Sequence, residues 1–107
     1  SLGYAYNLLG KYKEAIESYK QAIRIDPDYA DAHDSLGYAY LNLGKLKKAI
    51  ESCKQAIRID PDYVYAHFNL GLAYHYSNNR NSALEQYEIL KNLDTELANK
   101  LFNEINE

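Results

Sequence analysis

Few side chains in this sequence have chemical reach, and their spacing decides what they could do. His33 and His67 form an imidazole pair that could in principle ligate a metal or relay a proton. A metal site needs further Cys, Asp or Glu ligands at the right spacing, and none joins this pair, so both rings read as packing groups on equivalent faces of neighbouring units. Cys53 is the only cysteine, which rules out an internal disulfide and makes a reducing compartment, the cytoplasm, the expected setting. With no histidine beside it, Cys53 reads as a small buried filler rather than a nucleophile. No glycine-rich phosphate loop, nucleophile elbow or pair of acids in an apolar setting is present, and Gly10 and Gly44 fit helix ends. The expectation is a protein that is not an enzyme, with no catalytic residue, no cofactor and no metal.

What positions these residues is a repeat. The stretch SLGYAYLNLGKLKKAIESCKQAIRIDPDY from Ser35 to Tyr63 nearly duplicates Ser1 to Tyr29, and a more diverged copy follows from Asn69. Asp26-Pro27 recurs as Asp60-Pro61, and Leu2-Gly3 recurs as Leu36-Gly37 and Leu70-Gly71, each at a shift of 34 residues. Residues 1–34 and 35–68 differ at eight positions only (7, 8, 12, 14, 19, 30, 31 and 34). Self-similarity at such a period marks a stacked solenoid.

Within each unit the apolar spacing is helical. Leu2, Ala5, Tyr6 and Leu9 recur at three and four, Gly10 suits a left-handed helix end, and a second run carries Tyr12, Ala15, Ile16, Tyr19, Ala22 and Ile23 on one side. Lys13, Glu14, Glu17, Lys20 and Arg24 take the other side. Asp26-Pro27 stops this helix, and Asp26 is expected to cap the next one with Pro27 in its first turn. The second unit repeats the pattern, with helices over about 28–43 and 46–59 joined at Gly44. In the third unit the turn glycine becomes Asn78, the residue next best able to adopt left-handed geometry. After Asp94-Thr95, Leu97, Leu101, Phe102 and Ile105 make one apolar stripe on a final, polar-backed helix, as the open end of a solenoid requires.

Composition narrows the function classes. A chain of 107 residues, 47% hydrophobic and 25% charged, is an ordinary single soluble domain. No run approaches the roughly 18 apolar residues of a membrane span, and a net charge of −3 argues against a phosphate-backbone binder. The middle unit alone is basic, through Lys45, Lys47, Lys48, Lys54 and Arg58, and at helical spacing these read as a solvated outer face. The sequence opens at Ser1 inside a helix, so it is expected to be cut from a longer chain.

Leucine-glycine, a tyrosine three on, then glycine, two alanines and a closing proline, in the second unit Leu36, Gly37, Tyr40, Gly44, Ala49, Ala56 and Pro61, resembles the tetratricopeptide repeat. The physical reason is close packing: Gly37, Ala49 and Ala56 are small where paired helices approach, while Leu36, Tyr40, Ile50 and Ile57 fill the space between. His33 and His67 replace the bulky aromatic that often opens the family's first helix, and Cys53 replaces an aromatic of the second. The resemblance implies an all-α fold, a right-handed superhelical solenoid of antiparallel helix pairs forming one domain. Its parts would be a truncated first repeat (1–27), two full repeats (28–61 and 62–94) and a C-terminal capping helix (95–107).

In that family the first helix of each pair lines a concave face that holds extended or helical peptides. Carried onto matching positions, the groove would be built chiefly from Tyr4, Asn7, Asp34, Tyr38, Asn42, Tyr65, Phe68, Asn69, Leu72 and His75. Leu8, Asp31, Ser35, Leu41, Tyr76, Asn99, Phe102 and Asn103 would stand around them. Tyrosine offers broad apolar contact with a polar tip, and asparagine can bond an extended backbone from both ends of its amide. Some relatives clamp the acidic carboxyl tail of heat-shock chaperones with lysines, an arginine and asparagines. Only Asn69 matches such a set here, with Tyr4, Ser35 and Tyr65 where clamp residues would be wanted, so an acidic chaperone tail is disfavoured as partner. The expected partner is a protein or peptide, apolar or basic, with no nucleic acid and no membrane. The alternative is self-association into a homo-oligomer through a raw N-terminal edge of Leu2, Ala5, Tyr6, Leu9 and Tyr12.

Overall fold

A computed structural model describes residues 10–107. Among the described residues the chain is all helix: α1 (Tyr12–Ile25), α2 (Ala30–Asn42), α3 (Leu46–Ile59), α4 (Val64–Tyr76), α5 (Arg80–Lys91) and α6 (Thr95–Ile105). None is long and apolar enough to cross a membrane. Short turns make each helix the antiparallel neighbour of the next, so α2–α3 and α4–α5 are helix pairs, with α1 packed on α2 and α6 packed on α5.

Turn chemistry sets the hairpins. Gly44 sits at φ 75°, where a side chain would strain; its N–H donates to the Leu41 carbonyl (3.0 Å) and the next N–H, from Lys45, reaches back to Tyr40 (2.9 Å). These paired bonds satisfy the helix's last carbonyls in the Schellman arrangement. Asn78 does the same at φ 61°, its N–H bonding His75 (3.0 Å) while Asn79 bonds Tyr74 (2.9 Å), as its left-handed tolerance predicts.

The Asp-Pro turns depart from expectation. Asp26 does not cap the next helix: its Oδ1 accepts from the N–H of Asp28 (3.2 Å), as Asp60 does from Asp62 (3.2 Å), and α2 begins only at Ala30. An aspartate whose nearest donor lies two residues on closes a local Asx turn, and its oxygen is then unavailable to the helix. The histidines complete this turn. His33 Nε2 donates to the Pro27 carbonyl (2.9 Å) and His67 Nε2 to that of Pro61 (2.7 Å), fastening each turn to the first coil of the helix it precedes.

Small residues carry the close approach inside a pair. Ala49, Ala56 and Cys53 are fully buried, Leu36 and Tyr40 nearly so, and a Cβ built on Gly37 would lie 2.6 Å from Cys53 Sγ. Cys53 is thus the filler its setting implies, and burial, reinforced by the Asp34 carboxylate, pushes its thiol well above the usual range. The exposed lysines of α3 lie over rings: Lys48 Nζ is 5.6 Å from the centre of Tyr40, and Lys54 Nζ 6.0 Å from that of Tyr74. At the C-terminal end Leu97, Leu101 and Ile105 of α6 are buried. Asp94 Oδ1 caps α6 by accepting from the Leu97 N–H (3.1 Å), and Arg80 binds its far end through the Ile105 carbonyl (3.3 Å) and Asn106 Oδ1 (2.6 Å).

Between pairs, the first helices close ranks: α2 packs on α4 and α4 on α6, whereas the second helices are not in comparable contact. A stack that is tight along one row of helices and splayed along the other must curve, with the first helices on its inner side.

Candidate functional site

The inner row is where exposed rings collect. Tyr38 on α2 is 39% exposed, Tyr65 and Tyr76 on α4 are 59% and 53%, and Phe102 on α6 is 40%. Each such tyrosine leaves apolar ring area and a polar hydroxyl open to solvent. Tyr12 of α1 stands edge-on to Tyr38, with ring centres 6.2 Å apart.

The proposed lining residues divide into four groups, the last being the buried pair Asp34 and Asn69. Tyr4, Asn7 and Leu8, with Leu2, Ala5, Tyr6 and Leu9 of the proposed edge, lie outside the described residues. Tyr38, Tyr65 and Asn42 are exposed, the amide of Asn42 donating to the Tyr38 carbonyl (2.8 Å). Phe68, Leu72 and His75 are half-buried; Phe68 and Leu72 pack against the C-terminal core, and the His75 ring lies beside that of Tyr76, centres 5.2 Å apart and planes tilted by 48°.

Asp34 and Asn69, two of the expected groove residues, are buried between α2 and α4. Each is 7% exposed, and the Asn69 amide donates to Asp34 Oδ1 (3.0 Å), tying α4 to α2. The two helices approach so closely here that both polar groups are covered, and each is the other's partner. Burial raises the Asp34 carboxyl to about 6 against the pull of the Asn69 bond, with Asp31 adding to the rise. Tyr12, expected at the open edge, is half-buried and packed against the N-terminal core, with Tyr38 covering one side of it.

One cluster escaped sequence reading. Asp31, exposed on α2, accepts from the hydroxyls of Tyr63 (3.2 Å), Ser35 (3.2 Å) and Tyr29 (3.4 Å). Burial first, then Asp34 and Asp31, raises the Tyr63 hydroxyl well above its ordinary value, so it stays a donor. The signal was present in the recurrence of Tyr29 at Tyr63, one period on, which brings two phenols to one carboxylate. Also unforeseen was Gln86, whose Oε1 lies 2.7 Å from Nδ1 of buried His67. With Nε2 donating to Pro61, Nδ1 of a neutral ring can only accept, so for that form the hydrogen bond requires the Gln86 amide turned by half a turn, its NH2 toward the ring.

Electrostatically the inner row is lean in cations. α2 and α4 contain no lysine or arginine, α6 contains Lys100 alone, and α2 brings Asp31 and Asp34. Among the described residues no cluster of three or more His, Cys, Asp or Glu is arranged to hold a metal. The geometry offers surface recognition by rings, amides and a carboxylate.

Comparison with known proteins places this architecture. The family model described as TPR repeat matches residues 3–44 and 37–78. The second TPR domain of human RPAP3, solved in complex with the HSP70 peptide SGPTIEEVD, superposes with a TM-score of 0.90 at 29% identity, over 98% of this chain and 89% of that one. The second TPR of Spaghetti (RPAP3), bound to the HSP90 peptide SRMEEVD, is 32% identical with a TM-score of 0.83, over 86% of this chain and 85% of the other. The first TPR of Spaghetti, bound to the same HSP90 peptide, gives a TM-score of 0.91 at 26% identity over 97% and 84%. No curated protein sequence matches significantly. These neighbours hold acidic-ended peptides and lend no support to excluding such tails. With its 34-residue period, hairpin turns, inner row of first helices and model matches across residues 3–78, the chain belongs to the TPR repeat family.

Proposed function

We propose that this protein is a non-catalytic interaction scaffold that holds a peptide along the inner row of α2, α4 and α6. The observation that carries the reading is the concentration of half-exposed rings, Tyr38, Tyr65, Tyr76 and Phe102, on first helices and in one row. Support also comes from the solved relatives, whose bound partners are short peptides. Rings of this kind bury apolar area at little entropic cost, and Asn42 can read a backbone alongside them.

The charge of the peptide follows from the row. The exposed Asp31, with no lysine or arginine on α2 or α4, favours a neutral or basic segment over one ending in carboxylates, which would lack charge-assisted partners. The relatives' EEVD-ended peptides are therefore the sharpest probes. Titration of SRMEEVD and of a peptide with its acids replaced by lysine, read by calorimetry, separates the two. The basic peptide is expected to bind more tightly, and Tyr38→Ala with Tyr65→Ala to weaken it by about 1–2 kcal/mol per ring. Equal binding by the double variant would refute the groove; tighter binding of SRMEEVD would keep the groove and reverse its charge preference.

A further inference from the structure

The 34-residue register lets one repeat serve as template for its neighbour. In the third unit His67 bonds Pro61 through Nε2, and its Nδ1 is met at 2.7 Å by the carboxamide of Gln86, a buried side chain of α5. In the second unit His33 makes the same bond to Pro27, but the residue in register with Gln86 is Ser52. Serine is too short to reach the ring, and among the described residues neither His33 Nδ1 nor the Ser52 hydroxyl has a hydrogen-bond partner. Between α2 and α3 there is instead an open cleft of about 440 Å³, lined by His33, Glu51, Ser52, Lys54 and Gln55. That is within the roughly 300–1,000 Å³ typical of ligand sites.

The lining specifies a chemistry. With Nε2–H committed to Pro27, a neutral His33 offers a lone pair at Nδ1, and the Ser52 hydroxyl both donates and accepts. Glu51 and Lys54 supply one charge of each sign, so the cleft has no net demand for an ion. We infer that this cleft binds a primary carboxamide, the side chain of a glutamine or asparagine from a partner, in the place that Gln86 fills in the next repeat. Its NH2 donates to His33 Nδ1 and its oxygen accepts from Ser52. A carboxylate has no hydrogen to give the ring, and an alkyl group would bury both polar groups without partners. The site lies between the two helices of one pair and does not rest on the peptide groove.

The test is a titration of isotope-labelled protein with N-acetyl-Ala-Gln-Ala N-methylamide, whose only primary carboxamide is the glutamine side chain, with the Ala-Leu-Ala analogue as control, followed by NMR. Saturable shifts are expected at the His33 ring, Ser52 and Gln55 with the glutamine peptide and not with the leucine one. Ser52→Gln should fill the cleft from within and weaken the response about tenfold or more. Gln86→Ser should open the matching cleft and bring a new response at the His67 ring. Absence of saturable shifts, equal shifts with the leucine peptide, or an undiminished response in a folded Ser52→Gln overturns the inference. Should Ser52→Gln not fold, the glutamine–leucine comparison on the unmodified chain decides.

Discussion

Asp34→Asn is the perturbation that most sharply separates a buried structural carboxyl from a groove contact. Asp34 is 7% exposed, accepts one bond from Asn69, and is held near 6 where an unburied aspartate titrates at 3.8. An acid whose folded value is raised favours its protonated form in the fold. Between pH 3.8 and about 6 the folded chain therefore holds a proton that the unfolded chain has released, and stability falls as pH rises through that window. At about 1.36 kcal/mol per pH unit the full cost at neutral pH is about 3 kcal/mol. Asparagine keeps an oxygen to accept the Asn69 amide but carries no charge to desolvate. Urea unfolding at pH 4, 5, 6 and 7.5 should find Asp34→Asn and the parent close together near pH 4 and the variant more stable by up to about 3 kcal/mol at pH 7.5. A difference that does not change with pH, or a variant less stable at pH 7.5, would refute the argument.

Other consequences can be checked in the same way. Gly37→Ala drives a methyl to within 2.6 Å of Cys53 Sγ, with the Ala49 carbonyl 3.3 Å away, and should cost about 1–3 kcal/mol in urea unfolding, partly recovered by adding Cys53→Ala. Asn78→Ala, at φ 61°, should lose about 1 kcal/mol and Asn78→Gly should not, by thermal or chemical unfolding. The Cys53 thiol, fully buried and raised, should react with a disulfide reagent far more slowly in buffer than in urea; equal rates would contradict its placement.

The fold was legible in the sequence because its signals are local and repeated. Gly44 and Asn78 mark left-handed turns whatever surrounds them, and Leu36, Tyr40 and Ala49 recur at a period that only stacked hairpins satisfy. Of the candidate site, only exposure was legible, and in part. Tyr38, Tyr65 and Asn42, proposed to line the groove, are exposed on first helices because their positions point away from the helix each pairs with. The burial of Asp34 and Asn69 was not legible because it depends on how closely α2 meets α4, a distance that no spacing within one helix encodes. The Asp26 turn was misread because the same aspartate can serve a turn or a helix start, and the nearer N–H, from Asp28, took its oxygen. The histidine latch hid in a repeated Pro-to-His interval, Pro27 to His33 and Pro61 to His67, that carries meaning only once the turn is folded.

The central claim is that the inner row receives a peptide, and backbone chemical-shift mapping tests it most directly. With a tight-binding peptide titrated to saturation, the largest shifts should fall on Tyr38, Asn42, Tyr65 and Tyr76, and α1, α3 and α5 should be little changed. Shifts confined to those outer helices would contradict the account.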